Sequence, residues 1–317
     1  GRVLEMIGIG PAAEELFRQF FAQESVSNPP SRYREGGIRI RYFGHACLLI
    51  ESQDLTVLTD PLISYKSGAG IGRYTYEDLP EEIDYVLLTH NHQDHVMLET
   101  LLQIRHMVKT VVVPRSAASG LADPSLKLVL KNLGFANVVA MEEMEVLSVE
   151  GGEIVSLPFL GEHGDLNIAT KSSYLVRLNG RALLCLADSN NIDPQIYENL
   201  SQLTGEIDAM FIGMECEGAP FTWLYGPLLT RPMPRKIDQT RRFNGSNCSR
   251  GMGIVDILKP RRVFVYAMGQ EPWLTHVTSI QYTDDSYQIV EADKLVSCCR
   301  ARGLESERLF GQRDIFV

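Results

Sequence analysis

Thr89-His90-Asn91-His92-Gln93-Asp94-His95, residues 89–95, follows directly on the apolar run Tyr85-Val86-Leu87-Leu88. An apolar run that ends in a cluster of ligand-type side chains reads as a buried strand delivering them to a site at its C-terminal end. His90, His92, Asp94 and His95 place four metal-ligand candidates within six positions. Two imidazoles on alternate residues suit one ion, and the adjacent Asp-His pair suits a second. Burying so many imidazoles without an ion would leave ring nitrogens unpaired in apolar surroundings. An ordinary polar turn is the competing reading, and it leaves this density of ligands unexplained.

Composition narrows the alternatives. With 317 residues, 44% hydrophobic and 22% charged, the chain is globular and long enough for one large domain or two small ones. No stretch approaches the roughly 20 apolar residues of a membrane span. The six cysteines lack any Cys-x-x-Cys spacing and no basic-then-apolar leader opens the chain, so a reduced cytoplasm is expected, with the thiols as packing residues. A net charge of −10 argues against nucleic acid as the partner. The chain opens on Gly1 instead of Met, as a piece of a longer protein would.

Outward from the motif, the chain divides into an N-terminal helical extension, 1–30, and a catalytic domain, 31–317. Within the extension, residues 12–23 carry Leu16, Phe17, Phe20 and Phe21 at helical spacing. That face is expected to cover the domain's own surface, the other reading being a contact to an upstream domain or to a second subunit in a homodimer. Strands are expected at 38–43, 46–51 and 56–59, the last closed by Asp60-Pro61. A helix over 97–107, a strand over 110–113 and a helix started by Asp123-Pro124 and stopped by Gly134 come next. Strands over 153–159, 181–187, 207–213 and 262–268 complete the pattern, with Asp193 capping a helix that Gly205 ends.

Several of these strands end in groups that can bind metal. The strand at 181–187 leads into Asp188, a carboxylate able to bridge two ions. The strand at 153–159 leads into Gly161-Glu162-His163-Gly164-Asp165-Leu166. Either Glu162 or His163 can be the ligand, because neighbours on an extended backbone point opposite ways. Glu215 and Glu217 follow the strand at 207–213, and Glu215 is the candidate catalytic acid or gate. Phe221, Trp223 and Tyr225 beyond it offer an aromatic wall, or a plug for the core.

The motif His-x-His-x-Asp-His resembles the signature of the metallo-β-lactamase superfamily. Gly44-His45-Ala46-Cys47-Leu48-Leu49-Ile50-Glu51 is similar to the opening of the branch containing sugar-lactone hydrolases, with His45 either supporting the ligands or a satisfied core histidine. Gly-Glu-His-x-Asp-Leu is similar to a narrower family, the dinuclear-iron β-hydroxylases typified by the chloramphenicol-biosynthesis enzyme. The resemblance implies an α/β four-layer αββα sandwich with metals at one edge. It also implies Glu162 as the ligand with His163 behind it, and Asp60 orienting the cluster by hydrogen bonding. The implied set puts His90, His92 and Glu162 on one iron and Asp94, His95 and His276 on the other, with Asp188 shared.

Hard oxygen ligands favour iron and its higher oxidation states, whereas zinc has no redox chemistry. The resemblance therefore implies an oxygenase that hydroxylates the β-carbon of an amino acid tethered to an acyl or peptidyl carrier protein. O2 is its co-substrate, and an external electron donor, an electron-transfer partner, is needed because no flavin motif is present. The family's N-terminal domain implicated in dimerisation has no equivalent within these 317 residues. Nine basic residues against two acids between Arg231 and Arg262 suit docking of an acidic carrier, with Arg241 and Arg242 central; a solvated face is the plainer reading. The alternative activity is a binuclear zinc- or manganese-dependent hydrolase of the lactonase or phosphodiesterase kind.

Overall fold

The structure, a computed structural model, describes Met6, Gly8 and residues 10–18, 28–30, 32–66, 68, 70–117, 123–161, 168–215, 230–232, 234, 245–278 and 281–317. Strands β1 (Arg39–Gly44), β2 (Cys47–Glu51), β3 (Thr56–Thr59), β4 (Ile83–Leu87), β5 (Val108–Pro114) and β6 (Val138–Met141) belong to one sheet. They are followed by β7 (Val146–Val149), β8 (Gly152–Leu157), β9 (Ser173–Leu178), β10 (Arg181–Cys185), β11 (Ala209–Gly213), β12 (Arg262–Tyr266) and β13 (Glu305–Arg308) in a second. The last strand, β14 (Arg313–Phe316), returns to the first sheet and pairs antiparallel with β1, Arg39 opposite Phe316. Sheet orders are β14-β1-β2-β3-β4-β5-β6 and β13-β12-β11-β10-β9-β8-β7.

Period-two alternation explains how each strand serves two cores. In β11, Ala209 and Phe211 face the other sheet while Met210 and Ile212 face outward; in β12, Phe264 and Tyr266 face in while Val263 and Val265 face out. The middle core joins Tyr42, Leu48 and Ile50 of the first sheet to Tyr174, Phe211 and Phe264 of the second. Helices α1 (Pro11–Arg18), α2 (Leu98–Ile104) and α3 (Leu126–Asn132) precede α4 (Pro194–Thr204), α5 (Cys248–Leu258), α6 (Thr275–Thr278) and α7 (Tyr287–Ala301). The outer face of the first sheet is covered by Leu101 and Ile104 of α2 with Leu126 and Leu130 of α3. Residues of α4, α5 and α7, among them Tyr197, Ile254 and Leu295, cover the second. This is the expected α/β four-layer αββα sandwich.

Local signals hold in most places. Asp193 caps α4 by accepting from the Gln195 N–H at 3.1 Å, with Pro194 in the first turn and Gly205 at φ 61° beyond it. Asp123 does otherwise: α3 is capped by Ser125, and the buried Asp123 carboxylate accepts the backbone N–H groups of Ala117, Ala169 and Thr170. The turn before α3 uses Asp123 to tie two loops together, a tertiary demand that outweighs capping. In α1, Glu14 pairs with Arg18, and Leu16 is 61% exposed; Phe20 and Phe21 lie outside the described residues. No helix among the described residues is long and apolar enough to cross a membrane.

Candidate metal centre

Parallel pairing in both sheets, β3-β4-β5-β6 in one and β10-β11-β12-β13 in the other, sends several strand ends to one edge of the sandwich. β3 is followed by Asp60, β4 by the 89–95 motif, β10 by Asp188 and β11 by Glu215. The backbone turns sharply there. His45, Asp60, Ala187 and Ala267 all hold left-handed φ values, 50°, 32°, 47° and 53°. Non-glycine residues adopt that region at a cost of about 1 kcal/mol or more each, and such strain gathers where a fold must aim side chains.

His90, His92, Asp94, His95 and Asp188 are all buried, none more than 2% exposed. Asp188 Oδ2 lies 3.5 Å from His90 Nε2 and 3.3 Å from His95 Nε2, between the two rings. His90 Nε2 is 2.8 Å from His92 Nδ1. Asp60 accepts from the Thr89 N–H at 2.7 Å and the Thr89 hydroxyl at 2.6 Å, and it receives His95 Nδ1 at 2.8 Å. With Nδ1 committed to Asp60, Nε2 is the ring nitrogen that faces Asp188 and, once deprotonated, the one able to bind metal. Burial pulls His95 toward the neutral form, but Asp188, Asp60 and Asp94 outweigh it and hold the pKa well above the ordinary value. Burial likewise opposes ionisation of Asp94, yet the neighbouring His95 and a hydrogen bond from His45 hold its carboxyl below the usual range.

The donor set fits divalent cations. Two donors on one ion at about 2.1 Å stand roughly 3.0–3.5 Å apart for ordinary coordination angles, which matches the spacing of Asp188 Oδ2 to both rings. His90, His95 and Asp188 form one such group, and Asp94 and His95 bring a second pair of donors together, with the His45 ring packed against them. Asp94 Oδ1 and Asp188 Oδ1 are buried and accept no hydrogen bond among the described residues. A buried carboxylate oxygen left so is costly unless a cation meets it.

Not every expected residue joins the cluster. His276 sits exposed on α6, its Nδ1 2.9 Å from the Trp273 carbonyl, and belongs to neither group. The short helical turn starting at Pro272 carries its ring outward. Glu215 is buried beyond the end of β11. Glu162, His163, Glu217, Phe221, Trp223 and Tyr225 lie outside the described residues. The sequence reading missed Glu271, fully buried behind Gly44 and bonded to the Tyr42 hydroxyl, and Gly269, whose N–H reaches His45. Its only local signal was a Gly-Gln-Glu-Pro turn after a strand.

Gly213 shows how tightly the centre is built. A Cβ there would lie 2.7 Å from the Ala187 carbonyl oxygen and 3.1 Å from Asp188 Oδ1. Gly213→Ala is therefore expected to displace Asp188, lowering metal affinity about tenfold and stability by about 1–3 kcal/mol. Chelator competition and urea unfolding check this; wild-type values in both would refute the crowding argument.

Comparison with known proteins agrees with this geometry. The β-lactamase superfamily domain profile matches residues 39–203. The chain belongs to the β-lactamase superfamily. Among curated members, it is 46% identical over 278 residues to the 4-amino-L-phenylalanyl-[CmlP-peptidyl-carrier-protein] 3-hydroxylase of Streptomyces venezuelae, covering 87% of this chain and 52% of that protein. The crystal structure of CmlA, a diiron β-hydroxylase from Streptomyces venezuelae, superposes with a TM-score of 0.90 at 41% identity, covering 100% of this chain and 59% of that one. Igni18, a metallo hydrolase from Ignicoccus hospitalis, shares the fold of this superfamily member at TM-score 0.59 and 13% identity, over 88% of this chain and 98% of its own. The chain thus spans between half and three-fifths of the hydroxylases it matches.

Proposed function

We propose that this chain is the catalytic domain of a dinuclear-iron oxygenase that hydroxylates the β-carbon of an amino acid tethered to a carrier protein. The observation that carries the reading is the 46% identity to a carrier-dependent 3-hydroxylase across 87% of the chain. The buried centre supports it, since Asp94 and Asp188 offer hard anionic oxygens among the imidazoles. His90 and His92, with Glu162, would hold one iron; Asp94 and His95 would hold the second, and Asp188 would bridge. His276 is left out of that set because its ring is exposed and turned toward its own helix. Iron in this centre would supply the activation of O2, with electrons from an external donor.

The chain's own residues handle positioning. A cavity of about 150 Å³ is lined by Leu62, Ile63, Tyr76, Met97, Trp273 and Leu274, among others. Two of its lining residues stand near the centre in sequence, Leu62 two residues beyond Asp60 and Met97 two beyond His95. Ser64, Glu99, Thr100 and His276 make part of its lining polar; a volume of that size accommodates one aromatic ring, which suits an aryl amino acid side chain with a polar ring substituent. Glu215 keeps the role of an acid beside the centre. For the carrier, the basic stretch offers less than its charge count suggests. Arg261 is engaged by Glu206 and Asp208, and Arg262 by Glu305; Arg235, Lys236, Arg241 and Arg242 lie outside the described residues. A cytoplasmic location belongs to the same proposal, the described cysteines being free thiols.

The test is anaerobic loading with ferrous iron, followed by reaction of a carrier-bound 4-aminophenylalanyl thioester with a chemical reductant and O2. The expected result is about two irons per chain, as a dinuclear centre requires, and a gain of one oxygen atom at the β-carbon by mass spectrometry. Stoichiometric zinc, no oxygen uptake and cleavage of an ester or lactone would overturn the proposal.

A further inference from the structure

We infer that His45 is a positioning residue of the metal centre: its Nε2–H holds one oxygen of Asp94, leaving the other for an ion, and Gly269 sets the tautomer. The His45 ring is fully buried. The Gly269 N–H donates to its Nδ1 at 3.0 Å. A neutral imidazole whose Nδ1 lone pair is taken carries its proton on Nε2. That nitrogen lies 3.2 Å from Asp94 Oδ2, while Asp94 Oδ1 accepts no hydrogen bond among the described residues. One carboxylate oxygen is fastened and the other is left to coordinate.

The geometry also argues against His45 as a ligand, although its Nε2 falls 3.3 Å from His95 Nε2. Coordination through Nε2 would require the proton on Nδ1, where it would face the Gly269 N–H, donor against donor. His95 has no such conflict, its Nδ1 being directed at Asp60. The backbone keeps His45 in place from the same side. The His45 carbonyl accepts the Ala267 N–H at 2.8 Å, and both residues hold left-handed φ values. The loop after β12 therefore grips His45 twice, through its carbonyl and through its ring, and a rigid ring with an acceptor on one side and a donor on the other spans the gap to Asp94.

This inference rests on Asp94 and His95 holding metal, and is independent of which metal it is or which reaction follows. Two substitutions separate the two edges of the ring. His45→Gln can place an N–H near the Nε2 position and loses the Nδ1 acceptor; His45→Asn can accept from Gly269 and loses the donor toward Asp94. Ferrous-ion affinity is measured anaerobically by chelator competition, with melting of the metal-free chain as the folding control. Gln is expected to bind within a few-fold of the parent and Asn about 10- to 100-fold more weakly, the usual penalty for losing a group that orients a ligand. Equal affinities for Gln and Asn, or an Asn variant that binds like the parent, would overturn the assignment. Should either variant fail to fold, the tautomer is read in the unaltered chain from nitrogen-15 shifts of its labelled histidines. A proton on Nε2 of His45 is expected, and one on Nδ1 would refute the inference.

Discussion

Asp188→Asn is expected to empty the centre, lowering ferrous-ion affinity by more than about a hundredfold and abolishing any stabilisation by added metal. The carboxylate stands between the Nε2 atoms of His90 and His95, at 3.5 and 3.3 Å, so in the proposed assignment one substitution removes a ligand from both ions. Losing a group that merely orients a ligand costs about 10- to 100-fold, and a shared ligand must cost more. Asparagine also brings an NH2 group where a cation should sit. Melting with and without ferrous ion provides the check: the parent gains stability in proportion to the logarithm of metal over its dissociation constant, and the variant gains none. Parent-like stabilisation of the variant would exclude Asp188 as a shared ligand. Because the neighbouring carboxylates keep His95 protonated beyond the usual range, metal must displace that proton. Affinity in the parent should accordingly rise with pH and weaken as pH falls.

Arg41→Ala is expected to destabilise the metal-free chain by about 3–5 kcal/mol, the cost of stranding a buried charge. Glu51 on β2 has no exposed surface and is held by Arg41 Nε at 2.9 Å and Arg41 Nη2 at 3.0 Å, with Arg39 as a second, more exposed partner. Arg41 Nη1 also donates to the Asp78 carbonyl at 2.7 Å. Arg39 remains in the variant, so the loss should fall toward the lower end of that range. Urea unfolding measures it, and a change below about 1 kcal/mol would mean that Arg39 alone satisfies the carboxylate. Converting Arg41 and Glu51 together to methionine should recover much of the loss, because a buried pair replaced by apolar groups of similar size is often neutral.

The parts of the fold that could be read from the sequence were those whose causes are local. β3 shows as Thr56–Thr59 closed by Asp-Pro, and α4 shows by its Asp193 cap and Gly205 stop. The gathering of the 89–95 side chains was legible because the candidate ligands lie close together in sequence, and that of Asp188 because it follows an apolar strand. Helix α5 hides behind Gly251 and Gly253, poor helix formers required by neighbours: a Cβ on the first would press on Leu295 at 3.2 Å, and on the second against Asn191 at 2.6 Å. Asp123 has the sequence of a cap and the surroundings of a loop clamp. Asp188 comes just after β10, but His276 is separated from β12 by a loop and the helical turns that begin at Pro272, and it is exposed. The link from Gly269 to His45 joins residues far apart in sequence, which neither periodicity nor spacing can register.

Strand β14 carries a kinetic consequence. β1 forms one flank of its sheet with β2, but its other flank is covered only when residues 313–316 arrive from the far end of the chain, after crossing from the second sheet. Until that pairing forms, Arg39 to Tyr42 present unsatisfied backbone groups, a template for joining another chain edge to edge. Closing so distant a contact is slow. Refolding should thus pass through a species with one open border, in which protein concentration decides between completion and association.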